Sequence, residues 1–120
     1  MANLEFNKND DKIRLLISEM KRKHAAVCLG GGKKKIEKQH AKGKLSARER
    51  IDYLKDTDAK FLEIGAFVGE GMYVEYGGCP SGGVVAGITY VKDRQCIVVA
   101  NDATVKAGAW FPITAKKNLR

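Results

Sequence analysis

The sequence predicts an α+β protein: a basic, helical front half, then a small antiparallel sheet and the start of one more helix. Three observations carry this. Charge is skewed, with 16 Lys and Arg against 9 Asp and Glu in residues 1–60 (net +7) and 6 against 5 in residues 61–120 (net +1). Apolar residues of the front half recur every three or four positions, as on one face of a helix. In the back half they gather into two short runs, Val84–Val91 and Gln95–Ala100, joined by Lys92-Asp93-Arg94, as in a hairpin.

In chain order, Ile13, Leu16, Ile17, Met20 and Val27 give a helix from Asp10 to Val27, with Asn9 or Asp10 as its cap. Gly30-Gly31-Gly32 ends it, because glycine adopts left-handed backbone angles without penalty, and the run reads as a hinge. A phosphate-binding loop is rejected here. The position six before Lys33 is Val27 where glycine is required, and the next residue is Lys34 where Ser or Thr is required. Lys33–Lys42 forms a short second helix ended by Gly43. Ser46 and Glu49 have the spacing of a capping box for a third, with Ile51 and Leu54 on one side and Arg48, Asp52 and Lys55 on the other.

Asp56–Lys60 is then a polar turn, Phe61–Ile64 a first strand, and Gly65–Gly78 an irregular loop with an extended piece at Met72–Val74. The hairpin arms lack strict alternation, so both faces are expected to be covered, although few residues remain after the hairpin to cover them. The small residues of Asn101–Ala109 let backbone approach a ligand closely, and Pro112 suits the first position of a helix bearing Ile113, Lys116, Lys117 and Arg120. Strand, small-residue loop and helix start make a generic anion-accepting arrangement.

The longest apolar run, Cys96–Ala100, falls far short of the ~20 residues that span a bilayer. The start, MANLEFNKNDDKIRLL, has acids and amides where a signal peptide has a basic start and an apolar block, so a cytoplasmic protein is expected. Cys96 reads as a small core residue of its strand. His24 and Cys28 could share a helix face as half of a metal site, but no second pair completes it and no metal is expected.

The segments GGGKKKIEKQHAKGKLSARERIDYL, FLEIGAFVGE, PSGGVVAGI and VANDATVKAGAWFPITAKKNLR, in register over Gly30 to Arg120, resemble one family. It is that of the carboxyltransferase (β) subunits of biotin-dependent acyl-CoA carboxylases, in its amino-terminal portion. Asn101–Lys106 is most similar to the methylcrotonoyl-CoA branch. The resemblance implies a crotonase-like (ClpP/crotonase) fold. Residues 1–60 would be a helical lead-in, and residues 61–120 the first ββα unit of the acyl-CoA-binding domain, truncated.

It also implies the parent chemistry, transfer of carboxylate from carboxybiotin to a methylcrotonoyl-CoA-like or propionyl-CoA-like thioester. The amide donors that stabilise the enolate would lie beyond Arg120, so no catalytic residue is expected here and the fragment alone is expected to be inactive. Lys106, with Ala107, Gly108 and Ala109 beside it, is the candidate contact for the adenine and phosphate end of CoA; Lys116, Lys117 and Arg120 are secondary. The chain is expected to bind no cofactor of its own, biotin being carried by a partner protein. Implied partners are acyl-CoA, a biotin carboxylase/biotin carrier subunit and further copies of the chain, with neither nucleic acid nor membrane. The compartment would be the cytoplasm, or the mitochondrial matrix in a eukaryote, though no transit peptide is seen. Two other readings stay open: a small basic nucleic-acid-binding module, and front helices that dock a partner subunit. A chain ending at Arg120 should also leave one face of its hairpin bare and prone to self-association.

Overall fold

The computed structural model describes residues 2–120. Its helices are α1 (Ala2–Cys28), α2 (Lys33–Ala41), α3 (Ala47–Leu54) and α4 (Pro112–Leu119), and its strands β1 (Leu62–Ile64), β2 (Val84–Val91) and β3 (Arg94–Asn101). Single 3₁₀ turns lie at Val74–Tyr76, Pro80–Gly83 and Lys106–Gly108. The three strands form one antiparallel sheet in the order β1-β2-β3.

Helix α1 starts at Ala2 and not at Asp10, so Asn9 and Asp10 are interior residues and not caps. No Gly or Pro interrupts residues 2–28, and the Asp10 carboxylate accepts from Arg14 Nε one turn on at 2.7 Å. Helix α3 starts as the sequence predicts. The Ser46 N–H donates to Glu49 Oε2 at 2.7 Å and the Glu49 N–H donates to Ser46 Oγ at 3.3 Å.

The sheet has one covered face. Ala47 and Ile51 of α3 bury themselves against Val85, with Phe61, Val98 and Ala100 around them, so the helical front and the sheet share a core. Across the ladder, Leu62 pairs with Ile88, Ile64 with Ala86, Ile88 with Ile97 and Ala86 with Val99, which sets all of these on the other face. Ile97 and Val99 of that face are 77% and 55% exposed, so the expectation of cover on both sides fails and that of one bare face holds. Exposure along β3 alternates after all, because only the α3 side has a partner layer.

The hairpin turn is tighter than its sequence suggests. Lys92 and Asp93 both take positive φ (51° and 62°), the two-residue geometry that matches strand twist, and Arg94 therefore joins β3. Asp56 secures it from outside, its two carboxylate oxygens accepting from the Lys92 and Asp93 amides at 2.7 and 2.9 Å.

A second buried cluster joins Cys79, Val105 and Phe111, with Tyr73 and Ile113 against it. Cys79 is thus the core cysteine, while Cys96 is only half-buried and its Sγ donates to the Arg94 carbonyl at 3.4 Å. Burial pushes the Cys79 thiol pKa up. Met72–Val74 is not extended: Tyr73 takes a left-handed conformation (φ 57°) that stacks its ring on Phe111 with centroids 4.1 Å apart.

The glycine run is a packing site and not a hinge. Gly31 donates its N–H to Thr104 Oγ1 at 2.9 Å, and a Cβ there would collide with the Thr104 carbonyl. At Gly30 a Cβ would meet the Asp102 carboxylate. Only residues without side chains let the end of α1 lie this close to the 102–104 loop. Gly31→Ala is therefore expected to cost about 2–3 kcal/mol in a chemical denaturation experiment, the scale of an overpacked site with rigid backbone opposite. A variant as stable as the unchanged chain would contradict this packing.

Candidate functional site

Two loops face each other across an open cleft of about 660 Å³. One is the α2–α3 connection, contributing Gln39, Lys42, Lys44 and Leu45 and continuing into Ser46, Ala47 and Arg50 of α3. The other follows β3 and contributes Asn101, Asp102, Ala103, Thr104 and Ala107. Three cations, Lys42, Lys44 and Arg50, thus line one side, all exposed.

Each rim is held by its own hydrogen bonds. On the first, Glu49 serves the capping box and also meets His40 Nε2 through Oε2 at 2.8 Å, which ties α3 back to α2 across the lysine-bearing loop. The His40 hydrogen bond, then the Ser46 amide, hold the Glu49 carboxyl down at about 2. On the second rim, buried Asp102 accepts from the Thr104 N–H (2.9 Å) and hydroxyl (2.6 Å) through the same oxygen, Oδ1. The Asn101 amide spans the loop ends, donating to the Gly108 carbonyl and accepting from Trp110 Nε1, both at 3.0 Å.

Of the four residues proposed from sequence, Ala107 alone lines this cleft. Lys106 and Ala107 both have positive φ (47° and 52°), which turns the Lys106 side chain outward until its Nζ lies 4.1 Å from the Phe111 ring centroid. The amides of Gly108 and Ala109 are spent inside the turn, on the carbonyls of Val105 and Lys106 at 2.9 and 3.0 Å. The start of α4 is closed in a similar way, since Pro112 has no N–H and the Phe111 N–H donates to Thr114 Oγ1 at 3.2 Å. The anion-accepting helix start suggested by the sequence is therefore largely filled by the chain itself.

Lys117 is not a free cation either. Its ammonium donates to the carbonyls of Gly65 (3.0 Å), Ser81 (2.7 Å) and Val84 (2.6 Å), with Ser81 Oγ at 3.1 Å. Burial lowers its pKa, against the opposing pull of Glu63. Lys116 and Arg120 are exposed. Arg48 is likewise misjudged by helical spacing. It turns inward and forms a two-pronged pair with Glu63 at 2.7 and 2.8 Å, with the Ser81 hydroxyl 3.3 Å from the same carboxylate. Burial pushes the Glu63 pKa up, but the Arg48 hydrogen bonds and charge outweigh it and leave it below the ordinary carboxylate value.

The cations that sequence reasoning missed, Lys42, Lys44 and Arg50, sat inside the segment already singled out as a helical lead-in. The available signal was the Gly43 break, which holds two lysines in a loop next to a capped helix. What faces that loop across 50 residues of chain was not readable.

Comparison with known proteins bears on what such a cleft serves. Residues 38–120 match the model of the family described as "Carboxyl transferase domain". The chain is 44% identical over 116 residues to a probable methylcrotonoyl-CoA carboxylase beta chain, mitochondrial, of Drosophila melanogaster, covering 97% of this chain and 20% of that one. It is also 44% identical over 110 residues to a biotin-dependent 3-methylcrotonyl-coenzyme A carboxylase beta1 subunit of Mycobacterium tuberculosis, covering 92% and 20%. Among solved structures, transcarboxylase 12S with methylmalonyl-coenzyme A and methylmalonic acid bound superposes with a TM-score of 0.77 at 30% identity, over 88% of this chain and 21% of that one. The chain spans about a fifth of the length of these relatives. Its helical lead-in and ββα unit are those of a crotonase-like carboxyltransferase fold. A family model matched over most of the chain, with relatives at this identity, establishes that the chain belongs to the carboxyl transferase domain family.

Proposed function

We propose that the chain is the amino-terminal part of the carboxyltransferase subunit of a biotin-dependent acyl-CoA carboxylase of the methylcrotonoyl-CoA type, and that its share of the site is a binding surface for the CoA tail. The observation that carries the binding role is the cleft framed by Lys42, Lys44 and Arg50 opposite the 101–107 loop. CoA carries a diphosphate and a 3′-phosphate, and three exposed cations around one cleft match that charge. The lysines act as point charges, while Arg50 has the planar fork suited to a phosphate. Lys106, with Ala107, Gly108 and Ala109, borders the same loop and is read as an outer contact for the nucleotide.

In the reaction of the parent enzyme, carboxylate leaves N1 of biotin and bonds to a carbon α or vinylogous γ to the thioester, whose enolate is the nucleophile. Holding the CoA tail fixes where that carbon sits, a positional contribution to rate. Carboxybiotin is the second substrate, delivered on a carrier subunit, and no residue of this chain is assigned to it. Residues 61–120 are read as the start of the acyl-CoA-binding domain and 1–60 as its lead-in. The soluble compartment is read as the cytoplasm or the mitochondrial matrix.

The test uses the single tryptophan, Trp110, whose indole hydrogen-bonds to cleft-lining Asn101. Its fluorescence is followed during titration with CoA, 3′-dephospho-CoA and a single-stranded oligonucleotide at two salt concentrations. CoA should bind more tightly than the dephospho form. Lys42→Ala/Lys44→Ala/Arg50→Ala should weaken CoA by about 10-fold or more, as loss of charge-assisted contacts implies. Tight, steeply salt-dependent oligonucleotide binding without a CoA response would favour the nucleic-acid reading instead.

A further inference from the structure

The three cysteines differ in what each sulfur meets. Cys79 is buried, and Cys96 donates to the Arg94 carbonyl at 3.4 Å, an acceptor that cannot take its proton. Cys28, half-buried at the end of α1, meets a base. Its Sγ lies 3.7 Å from His24 Nδ1 and 4.0 Å from Nε2, one turn back on the same helix. The ring also faces Glu63, with Nε2 3.7 Å from Oε2, and Glu63 is itself fixed by the two-pronged pair with Arg48. A carboxylate near Nε2 favours the tautomer that carries its proton there, which leaves Nδ1 open to the thiol proton. Helix α1, strand β1 and helix α3 thus bring together a nucleophile, a base and an orienting carboxylate. A helix C-terminus disfavours negative charge, so a thiol placed there depends on a base at contact distance to react.

A second, independent feature says what this thiol meets. Phe67 packs edge-on against the His24 ring, centroids 6.0 Å apart, and also lines a hollow of about 380 Å³ between α1 and the loop after β1. Leu16, Met20 and Phe67 give the hollow an apolar lining, and Lys23, Glu19 and Glu70 give it charges of both signs. That combination fits a zwitterion, whose carboxylate pairs with Lys23 and whose ammonium pairs with Glu70. The pair of Lys23 with Glu19, at 3.4 Å and half-exposed, is weak enough to exchange for such a ligand. Lys23 stands five residues before Cys28, about 7.5 Å along the helix, which is the span of about two extended residues. A short peptide whose sulfur is at Cys28 therefore reaches the hollow with its charged end.

We propose that Cys28 is a thiol–disulfide exchange site for a short zwitterionic peptide disulfide, with His24 as its base and the hollow beside Phe67 holding the peptide. The Cys28 sulfur attacks one sulfur of the disulfide while its proton passes to His24 Nδ1. The bond between the two peptide sulfurs breaks, a bond from Cys28 to the attacked sulfur forms, and the other sulfur leaves as a thiolate that takes the proton from His24. Cys28 is oxidised to the mixed disulfide and one peptide sulfur is reduced to a thiol, so the disulfide is the only oxidant needed. The inference does not rest on the CoA reading, since none of these residues lines the basic cleft.

Glutathione disulfide is the probe and bis(2-hydroxyethyl) disulfide the uncharged reference. Adduct formation on the whole chain near pH 7 is followed by mass spectrometry with peptide mapping. Glutathione should add to Cys28 about 10-fold or more faster than to Cys96, within the ~30-fold open to an ordinary thiol that is ionised by only a few per cent near pH 7. His24→Gln should slow the reaction of Cys28 about 10-fold with either disulfide and leave Cys96 unchanged. Lys23→Ala/Glu70→Gln should slow glutathione disulfide by about 3-fold or more and leave the reference reaction as it was, the scale of exposed charge pairs. All variants should keep their circular dichroism, because His24, Lys23 and Glu70 are exposed. Equal rates at Cys28 and Cys96, a Cys28 rate indifferent to His24→Gln, or a Lys23/Glu70 change that slows both disulfides alike or neither would each overturn the inference.

Discussion

Replacing Lys117 by methionine is expected to lower the melting temperature by about 10 °C, the equivalent of about 3 kcal/mol in a chain of this size. The ammonium is the common donor for three carbonyls from separate parts of the chain: Gly65 after β1, Ser81 in the turn before β2, and Val84 at the start of β2. Methionine keeps most of the stem that packs beside Gly65 and Gly82 but removes every donor. Each carbonyl keeps one other donor, the Val68 N–H at Gly65 (3.2 Å), the Val84 N–H at Ser81 and the Ser81 hydroxyl at Val84 (3.3 Å), so the cost is the loss of the charge-assisted bonds themselves, about 1.5–3 kcal/mol for each and moderated where water can enter. Arginine is not a conservative rescue, because its planar fork cannot converge on three carbonyls as an ammonium does. Thermal unfolding followed by circular dichroism is the measurement. A methionine variant that melts with the unchanged chain would show that water replaces the lysine without cost.

The second large effect is expected at Arg48. Its pair with Glu63 is mostly shielded, with side-chain exposures of 23% and 11%. Arg48→Met leaves the Glu63 carboxylate with only the Ser81 hydroxyl and, at 3.7 Å, the exposed His24 ring. Stranding a partly buried charge in this way should cost about 3 kcal/mol. The pH dependence identifies the cause. Because the folded Glu63 pKa is depressed below its unfolded value, the pair's contribution is fully present above the unfolded value of 4.5 and is lost as pH falls through the folded one. In Arg48→Met, burial is opposed by the Ser81 hydroxyl and His24 without the larger pull of Arg48, so Glu63 is held down less and acid should remove less stability from the variant than from the unchanged chain. Equal acid sensitivity of the two would mean that Arg48 does not set the Glu63 charge. Glu49 adds its own acid-sensitive part in both chains, since it too is held low, at about 2.

These two residues also mark the limit of what the sequence disclosed. Elements with a local cause were legible: the capping box of α3, the hairpin, and Pro112 opening α4. Features fixed by distant partners were not. Helical spacing put Arg48 on the solvent face and Lys117 on a basic surface, yet each turns toward a group far away in sequence that only the assembled fold supplies. The glycine run shows the same limit. Its conformational freedom was evident, but its role in letting α1 reach Asp102 and Thr104 depends on a contact across more than 70 residues. The start of α1 was misplaced because a good local cap, Asp10, was instead used within a longer helix that nothing in its sequence interrupts. For the site, composition singles out the small-residue loop 101–109, and in the fold Asn101, Asp102, Ala103, Thr104 and Ala107 of that loop line a cleft. The opposite wall, with its three cations, came from a segment read as scaffold.

The central claim, that the Lys42–Arg50 rim and the 101–107 loop form a single surface for the CoA tail, is tested most directly by a two-dimensional amide NMR titration of the chain with CoA. The expected result is saturable shifts of the amides of residues 42–50 and 101–107 together, smaller with 3′-dephospho-CoA and absent in Lys42→Ala/Lys44→Ala/Arg50→Ala. Saturable shifts confined to α1 or to the bare face of the sheet, with both rims unmoved, would contradict it.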